Sequence, residues 1–341
     1  MGWCGVGDWW TDPTFAMCRA LVDGADLASF AGGPFDVRAV VETIRPGTFE
    51  GAALDDLPWG NFPHGEKARE AVCLLRAGDE PARDYMGVLI GMCADDSRAA
   101  AVLAVPFLIR IATDPHHRHR ADALGGLAAP ARARYFGVAS RDELLLHRSG
   151  PQHDGYDDYG VEVTGYPAGW SVAAARDAIT TGTPTLLPLL DDSDPAMRID
   201  ASYALATAAD PGHTVRRAFA TRFAMEQDPM VRAALVLATA ESTRAHPYEP
   251  ATAWIRELWQ DQAQAPEVRL AAAIGWLCLT DEPVPDALHA SVEALATEER
   301  SRAMDALPWM AAAGRGVPGL LDCVRRMLHP EAPEPTDDPW A

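Results

Sequence analysis

The chain is short of positive charge. Its 29 Lys and Arg stand against 49 Asp and Glu, a formal net charge of −20 over 341 residues. Phosphate backbones repel a chain of that sign, so nucleic acid is not an expected partner. None of the six cysteines falls in a Cys-x-x-Cys pair, and their spacing fits no zinc framework. Cys73, Cys93, Cys278 and Cys323 lie in apolar helical patterns, as buried thiols do, which points to a reducing, cytoplasmic location. There is no apolar run of about 18 residues, so no membrane span is expected. Met1–Trp10 lacks a basic segment followed by an apolar core, so a signal peptide is not expected either. Apolar alternation with period two is rare, which argues against a sheet protein. Ser-His-Asp spacing, a Gly-rich phosphate loop and His-Glu-x-x-His are all missing. No metal or cofactor is expected.

What is present is alanine and leucine at helical spacing, in a chain that is 48% hydrophobic. Ala68, Ala71, Val72 and Leu75 mark one face of a helix over Gly65–Ala77. Further helices are expected over Pro81–Cys93, over Arg98–Ala112, and from the His116 region through Leu124. Residues 1–65 are irregular, with Trp3, Trp9, Trp10 and Trp59, and read as a cap over the open end of a repeat array. Residues 142–170 break the pattern with repeated Gly and interleaved Tyr, a loop inserted between repeats. Ser171 is read as an N-cap and Gly182 as the stop of the following helix, with Thr183-Pro184 opening the next. Residues 330–341 form an acidic, Pro-rich tail, expected to be disordered and ending near Trp340.

Residues 184–206 hold the clearest repeat unit. Asp194-Pro195-Ala196-Met197-Arg198 opens one helix, Asp228-Pro229-Met230-Val231-Arg232 the next, and Ala265-Pro266-Glu267-Val268-Arg269 a third. Asp114-Pro115 and the Glu298–Leu307 stretch look like diverged copies. Asp at the N-cap accepts free amide hydrogens, and Pro at the next position needs no amide partner. The arginine four residues after the Asp is expected to pair with it or with carbonyls of the next unit. One unit's apolar face is too large for itself and is covered by its neighbour. The reading at this level is an all-α solenoid of about six to seven helix pairs over residues 66–329.

The Leu-Leu-x-Leu-Leu-Asp-Asp-x-Asp-Pro-x-x-Arg-x-x-Ala-x-x-Ala-Leu pattern at 186–205 resembles the HEAT-repeat family, including the HEAT-like repeats of phycobilin lyases. HEAT-repeat proteins of actinobacteria are the nearest in character. The resemblance implies an α-solenoid of HEAT-like helix pairs and says little of function, since the family includes scaffolds, lyases, DNA glycosylases and hydroxylases. The His-Glu iron ligands of the hydroxylases have no counterpart here. The glycosylase reading, a third hypothesis in which Trp254, Trp259 and Trp276 would frame a base, is opposed by the charge.

Candidate site residues concentrate in the insertion. His153, Asp157 and Tyr159 are the candidates for acid–base catalysis. His147, Asp154, Tyr156, Trp170 and Tyr203 are candidates for ligand binding. The competing reading is a surface loop with Asp and Gly for turns and Tyr for docking. His116 and His119 share a helix face at i, i+3, but an exposed turn explains them more simply. The Arg198, Arg232 and Arg269 ladder is read as structural. The leading expectation is a non-enzymatic solenoid that binds another protein or peptide on its concave face. The alternative is a small-molecule-binding protein or enzyme with a pocket closed by the 142–170 loop.

Overall fold

The computed structural model describes residues 11–44, 54–78, 82–95, 97–132, 138–145, 162–210, 213–314 and 316–329. These residues are helical, with no strand among them. Sixteen α-helices run through the described chain. The N-terminal part holds α1 (Ala16–Val22) and α2 (Val37–Thr43), joined by single 3-10 turns. Then come α3 (Gly65–Ala77), α4 (Ala82–Asp95), α5 (Ala99–Thr113) and α6 (Arg120–Leu127). After the insertion follow α7 (Ala168–Leu186), α8 (Pro195–Leu205), α9 (Thr214–Met225), α10 (Pro229–Ala245), α11 (Glu249–Gln260) and α12 (Pro266–Leu279). The last four are α13 (Asp286–Leu295), α14 (Glu298–Met304), α15 (Met310–Ala313) and α16 (Gly316–Leu328).

Through the middle of the chain, helices pack on the next helix but one. α3 lies on α5 and α5 on α7; α4 lies on α6, α6 on α8, α8 on α10 and α10 on α12. The interior helices are apolar nearly all round. In α5 the run Ala99–Ile109 is buried throughout, as are most of α10 and α12. Small residues let the backbones approach. Gly275 of α12 sits where an added Cβ would lie 3.0 Å from Ala240 Cβ of α10.

The helix starts follow the sequence reading at α8 and α10. Asp194 accepts from Ala196 N at 2.9 Å, and Asp228 from Met230 N at 2.8 Å and Val231 N at 3.2 Å. Each such cap contributes about 1 kcal/mol. The α7 boundaries differ from expectation. The helix begins at Ala168 and runs through Gly182 and Pro184 to Leu186 before a 3-10 turn over Leu187–Asp191. Gly182 is a packing residue: a Cβ there would lie 2.6 Å from Ile109 Cδ1 on α5. Tertiary contact therefore overrides the local stop signal.

The arginine ladder is structural, and each arginine has a side-chain hydrogen-bond partner that lies forward in the chain. Arg198 grips Glu226 with Nε at 2.8 Å and Nη2 at 3.3 Å, and donates Nη1 to Asp192 O at 2.7 Å. Arg232 donates to Gln264 Oε1 at 2.8 Å and stacks 4.3 Å over Phe223. Arg269 donates to Ser291 Oγ at 3.1 Å. The expected pairing with the preceding Asp does not form at Arg198 or Arg232. The Asp oxygens turn inward to the first-turn amides, and each guanidinium instead ties its unit to the next.

The N-terminal segment is bound into the array. α2 packs on α5 and α7, and Trp59, whose indole donates to Leu54 O at 2.7 Å, is fully buried. Tyr166, at the end of the insertion, accepts from Val37 N at 3.0 Å and donates to Phe35 O at 2.7 Å. Trp3, Trp9, Trp10 and residues 330–341 lie outside the described residues.

Candidate functional site

Of the predicted site residues, His147, His153, Asp154, Tyr156, Asp157 and Tyr159 lie outside the described residues. Trp170 and Tyr203 are described, and they belong to different clusters. Trp170 is buried in the first turn of α7, with the Arg38 guanidinium 4.1 Å from its ring centre and Tyr166 edge-on at 6.4 Å. Tyr203, half-buried on α8, carries the Arg132 guanidinium at 3.5 Å and meets Trp309 edge-on at 4.8 Å.

The Tyr203 cluster is a buried polar knot. Glu241 of α10 is fully buried, accepts from Trp309 Nε1 at 2.6 Å and is ion-paired with Arg132. Arg132 also donates to Tyr203 O at 2.6 Å. One turn on, Arg244 donates to Cys278 O at 3.0 Å, to Arg141 O, and to Asp142 Oδ1 at 2.8 Å. Residues 138–142 are in turn held by the C-terminal helices, with Ala139 N on Ala312 O at 3.0 Å and Arg326 on Val138 O at 2.7 Å. This side of α10 is thus covered by the chain itself. Neither Glu241 nor Arg132 carries a local sequence signal, because their partners are 68 or more residues away.

Glu162 is buried ahead of α7. Its Oε2 accepts from the Ser97 hydroxyl and from Arg98 N at 2.9 Å at the start of α5. Burial pushes its carboxyl up to about 7, against the lowering pull of Ser97, Ser171 and Arg98. His116 and His119 do not converge. His116 N caps on Asp114 at 2.9 Å, while the buried His119 places Nδ1 3.5 Å from Asp122. No group of three or more His, Cys, Asp or Glu among the described residues is arranged to hold a metal. Trp276 and Trp259 are core residues, and Trp254 meets Phe223 edge-on at 5.0 Å.

Open depressions among the described residues include one of about 380 Å³ beside Arg269 and Ser291 and the two that follow. A cavity of about 680 Å³ lies between α2 and helices α5 and α7, lined by Asp36, Arg38, Glu42, Pro106, Asp177 and Thr181. Desolvation and the nearby Glu42 push the Asp177 carboxyl up.

The second is a groove of about 340 Å³ between α9 and α11, with Thr239 of α10 at its base and His213, Arg216, Arg217, Tyr248 and Trp254 along it. No carboxylate lines it, although the chain is strongly acidic. His213 precedes α9 with a left-handed backbone, φ 58°, uncommon for a side chain of this size. Its ring stacks on Tyr248 at 4.8 Å and 29°. Arg216 is only 4% exposed. Its guanidinium holds His246 O and His213 Nδ1, lies 5.0 Å from the Tyr248 ring, and leaves Nε without a partner. The nearest carboxylate, Asp210, is used on the amides of Thr214 at 2.6 Å and Arg216 at 3.1 Å. Burial therefore lowers the Arg216 pKa, with Asp210 and Tyr248 opposing. A buried guanidinium without a carboxylate hydrogen bond thus lies beside the exposed Arg217, flanked by aromatic faces.

Comparison with models of known families, with curated proteins and with solved structures gives no match. The groove was not legible in the sequence. His213, Arg216, Tyr248 and Trp254 come from two helices and their starts, separated by a third helix, and no sequence motif marks His213.

Proposed function

We propose that the chain is a HEAT-like α-solenoid that binds an acidic peptide segment of another protein. Its architecture draws support from the next-but-one packing of α3, α5 and α7 and of α4, α6, α8, α10 and α12, and from the Asp-Pro caps of α8 and α10. The binding reading rests on one observation: the α9–α11 groove joins a buried arginine lacking a carboxylate partner to two aromatic side chains. A peptide carboxylate would meet the exposed Arg217, with the buried Arg216 charge behind it, and a neighbouring apolar side chain would lie on Tyr248 and Trp254. The side of α10 bearing Glu241 and Arg244 is occupied by residues 132, 138–142 and 309, which leaves the α9–α11 groove as the open surface this reading uses. Selection of random dodecapeptides displayed on phage tests this reading. Enrichment of sequences pairing Asp or Glu with an aromatic or Leu is expected, and enrichment of basic sequences, or none, contradicts it.

A second reading has its own observation. The 680 Å³ cavity abuts Arg38, which ties it to Trp170, and it is lined by Asp36, Glu42 and Asp177. Those carboxylates suit a small cationic ligand. A thermal-shift screen against diamines and polyamines, with Asp177→Asn as control, tests it. A stabilisation that survives the substitution counts against this cavity as the site.

A further inference from the structure

Two imidazoles 40 residues apart in sequence meet near the C-terminal helices. His289 lies in the first turns of α13, and His329 follows the last residue of α16. Their Nε2 atoms are 3.1 Å apart, with ring centres 5.0 Å apart and planes at 69°. Glu293, one turn further along α13, places Oε2 3.4 Å from His289 Nδ1.

This geometry has two chemical explanations. In the first, one neutral imidazole donates an N–H to the other. A straight bond of that kind would spread the ring centres to about 5.4 Å. In the second, both lone pairs face a shared ion. Two imidazole nitrogens on one tetrahedral Zn²⁺, each about 2.0–2.1 Å from it, stand about 3.3 Å apart. Ring axes converging on such an ion hold the ring centres about 5.2 Å apart, nearer the observed 5.0 Å than a straight hydrogen bond places them. Glu293 strengthens the second explanation. A carboxylate at Nδ1 favours the tautomer with the proton there and leaves the Nε2 lone pair facing the gap.

We propose that His289 and His329 form a two-imidazole site for a divalent transition-metal ion of the Zn²⁺ and Ni²⁺ class. The ion clasps α13 to the end of α16. No third His, Cys, Asp or Glu joins them among the described residues, so water completes the shell. Imidazole ligands select such ions over Mg²⁺ and Ca²⁺, which take oxygen.

The test uses the full chain without an affinity tag, stripped with chelator, and titrated with ZnCl₂ by calorimetry and with CoCl₂ by visible absorption. One saturable site is expected, with the melting temperature rising by a few degrees at saturating Zn²⁺. Mg²⁺ should leave both signals unchanged. His289→Gln and His329→Gln should each weaken Zn²⁺ binding at least tenfold. Glu293→Gln should weaken it about tenfold, the usual effect of losing an outer carboxylate. His116→Gln should have no effect, and circular dichroism in chelator should match the parent for every variant. Absence of Zn²⁺ binding up to millimolar concentration overturns the proposal. So does binding that His329→Gln leaves intact, since a single imidazole would then account for it.

Discussion

Glu241 offers the sharpest perturbation of the fold. It is fully buried, and its two oxygens serve Arg132 and the Trp309 indole, while Arg132 is 11% exposed. Glu241→Ala leaves a buried guanidinium without its carboxylate and an indole N–H without its acceptor. Breaking a buried pair in this way costs about 3–5 kcal/mol. For a chain of this length the melting temperature moves by roughly 1.4 °C per kcal/mol, so a drop of about 4–7 °C is expected. Glu241→Gln keeps an acceptor for Trp309 and loses only the charge, so it should fall between parent and Ala. The double variant Glu241→Leu with Arg132→Leu should recover part of the loss, because neither charge is then stranded. Thermal unfolding followed at 222 nm, with tryptophan fluorescence as a second probe, reads all four proteins. A Glu241→Ala variant melting within about 1 °C of the parent would refute the knot as a stabilising contact, by the same conversion.

The remaining expectations are separate. Glu162 has its folded pKa raised to about 7 by burial, above the ordinary 4.5 of the unfolded chain. The native state therefore holds the proton longer, and this group's contribution is present at low pH and lost as pH rises from about 4.5 through 7. Glu162→Gln should remove that component, so the parent-minus-variant melting difference should decline across this window. Glu226 has the opposite sign: burial alone would raise it, but the Asp228 amide and the Arg222 and Arg198 guanidiniums hold it at about 2. Its contribution is present above about 4.5 and lost as pH falls toward 2, and Glu226→Gln should flatten acid unfolding there. Gly65→Ala would place a Cβ 1.8 Å from the Trp59 carbonyl oxygen, a backbone atom, and should lose about 2 kcal/mol or more in urea unfolding. Gly125→Ala meets only Asp200 Oδ2 at 3.6 Å and should be neutral or slightly stabilising.

What could be read from the sequence was what local chemistry decides. Asp194 and Asp228 cap their helices as their Asp-Pro contexts indicate, and the helical period around Ala68 and Leu75 gives α3 at Gly65–Ala77. Where distant packing decides, the reading failed. Gly182 and Pro184 look like punctuation, yet α7 passes through both because Ile109 needs the space at Gly182. Arg198 has Asp194 four residues behind it and still turns to Glu226. Tyr203 was singled out, but its partners Arg132 and Trp309 were not, since only the fold brings them together. The α9–α11 groove escaped notice for the same reason, and the His289–His329 pair carries no spacing rule at all.

The central claim is that the α9–α11 groove holds an acidic peptide. The most direct measurement is fluorescence anisotropy of a fluorescein-labelled dodecapeptide from the phage selection, titrated with the parent, Arg217→Glu and Tyr248→Ala. Both side chains are exposed, Tyr248 at 39%, so each variant should melt with the parent. Saturable binding by the parent is expected, at least tenfold weaker in either variant and weaker as salt rises. Equal affinity for all three proteins, with melting temperatures unchanged, would contradict the account.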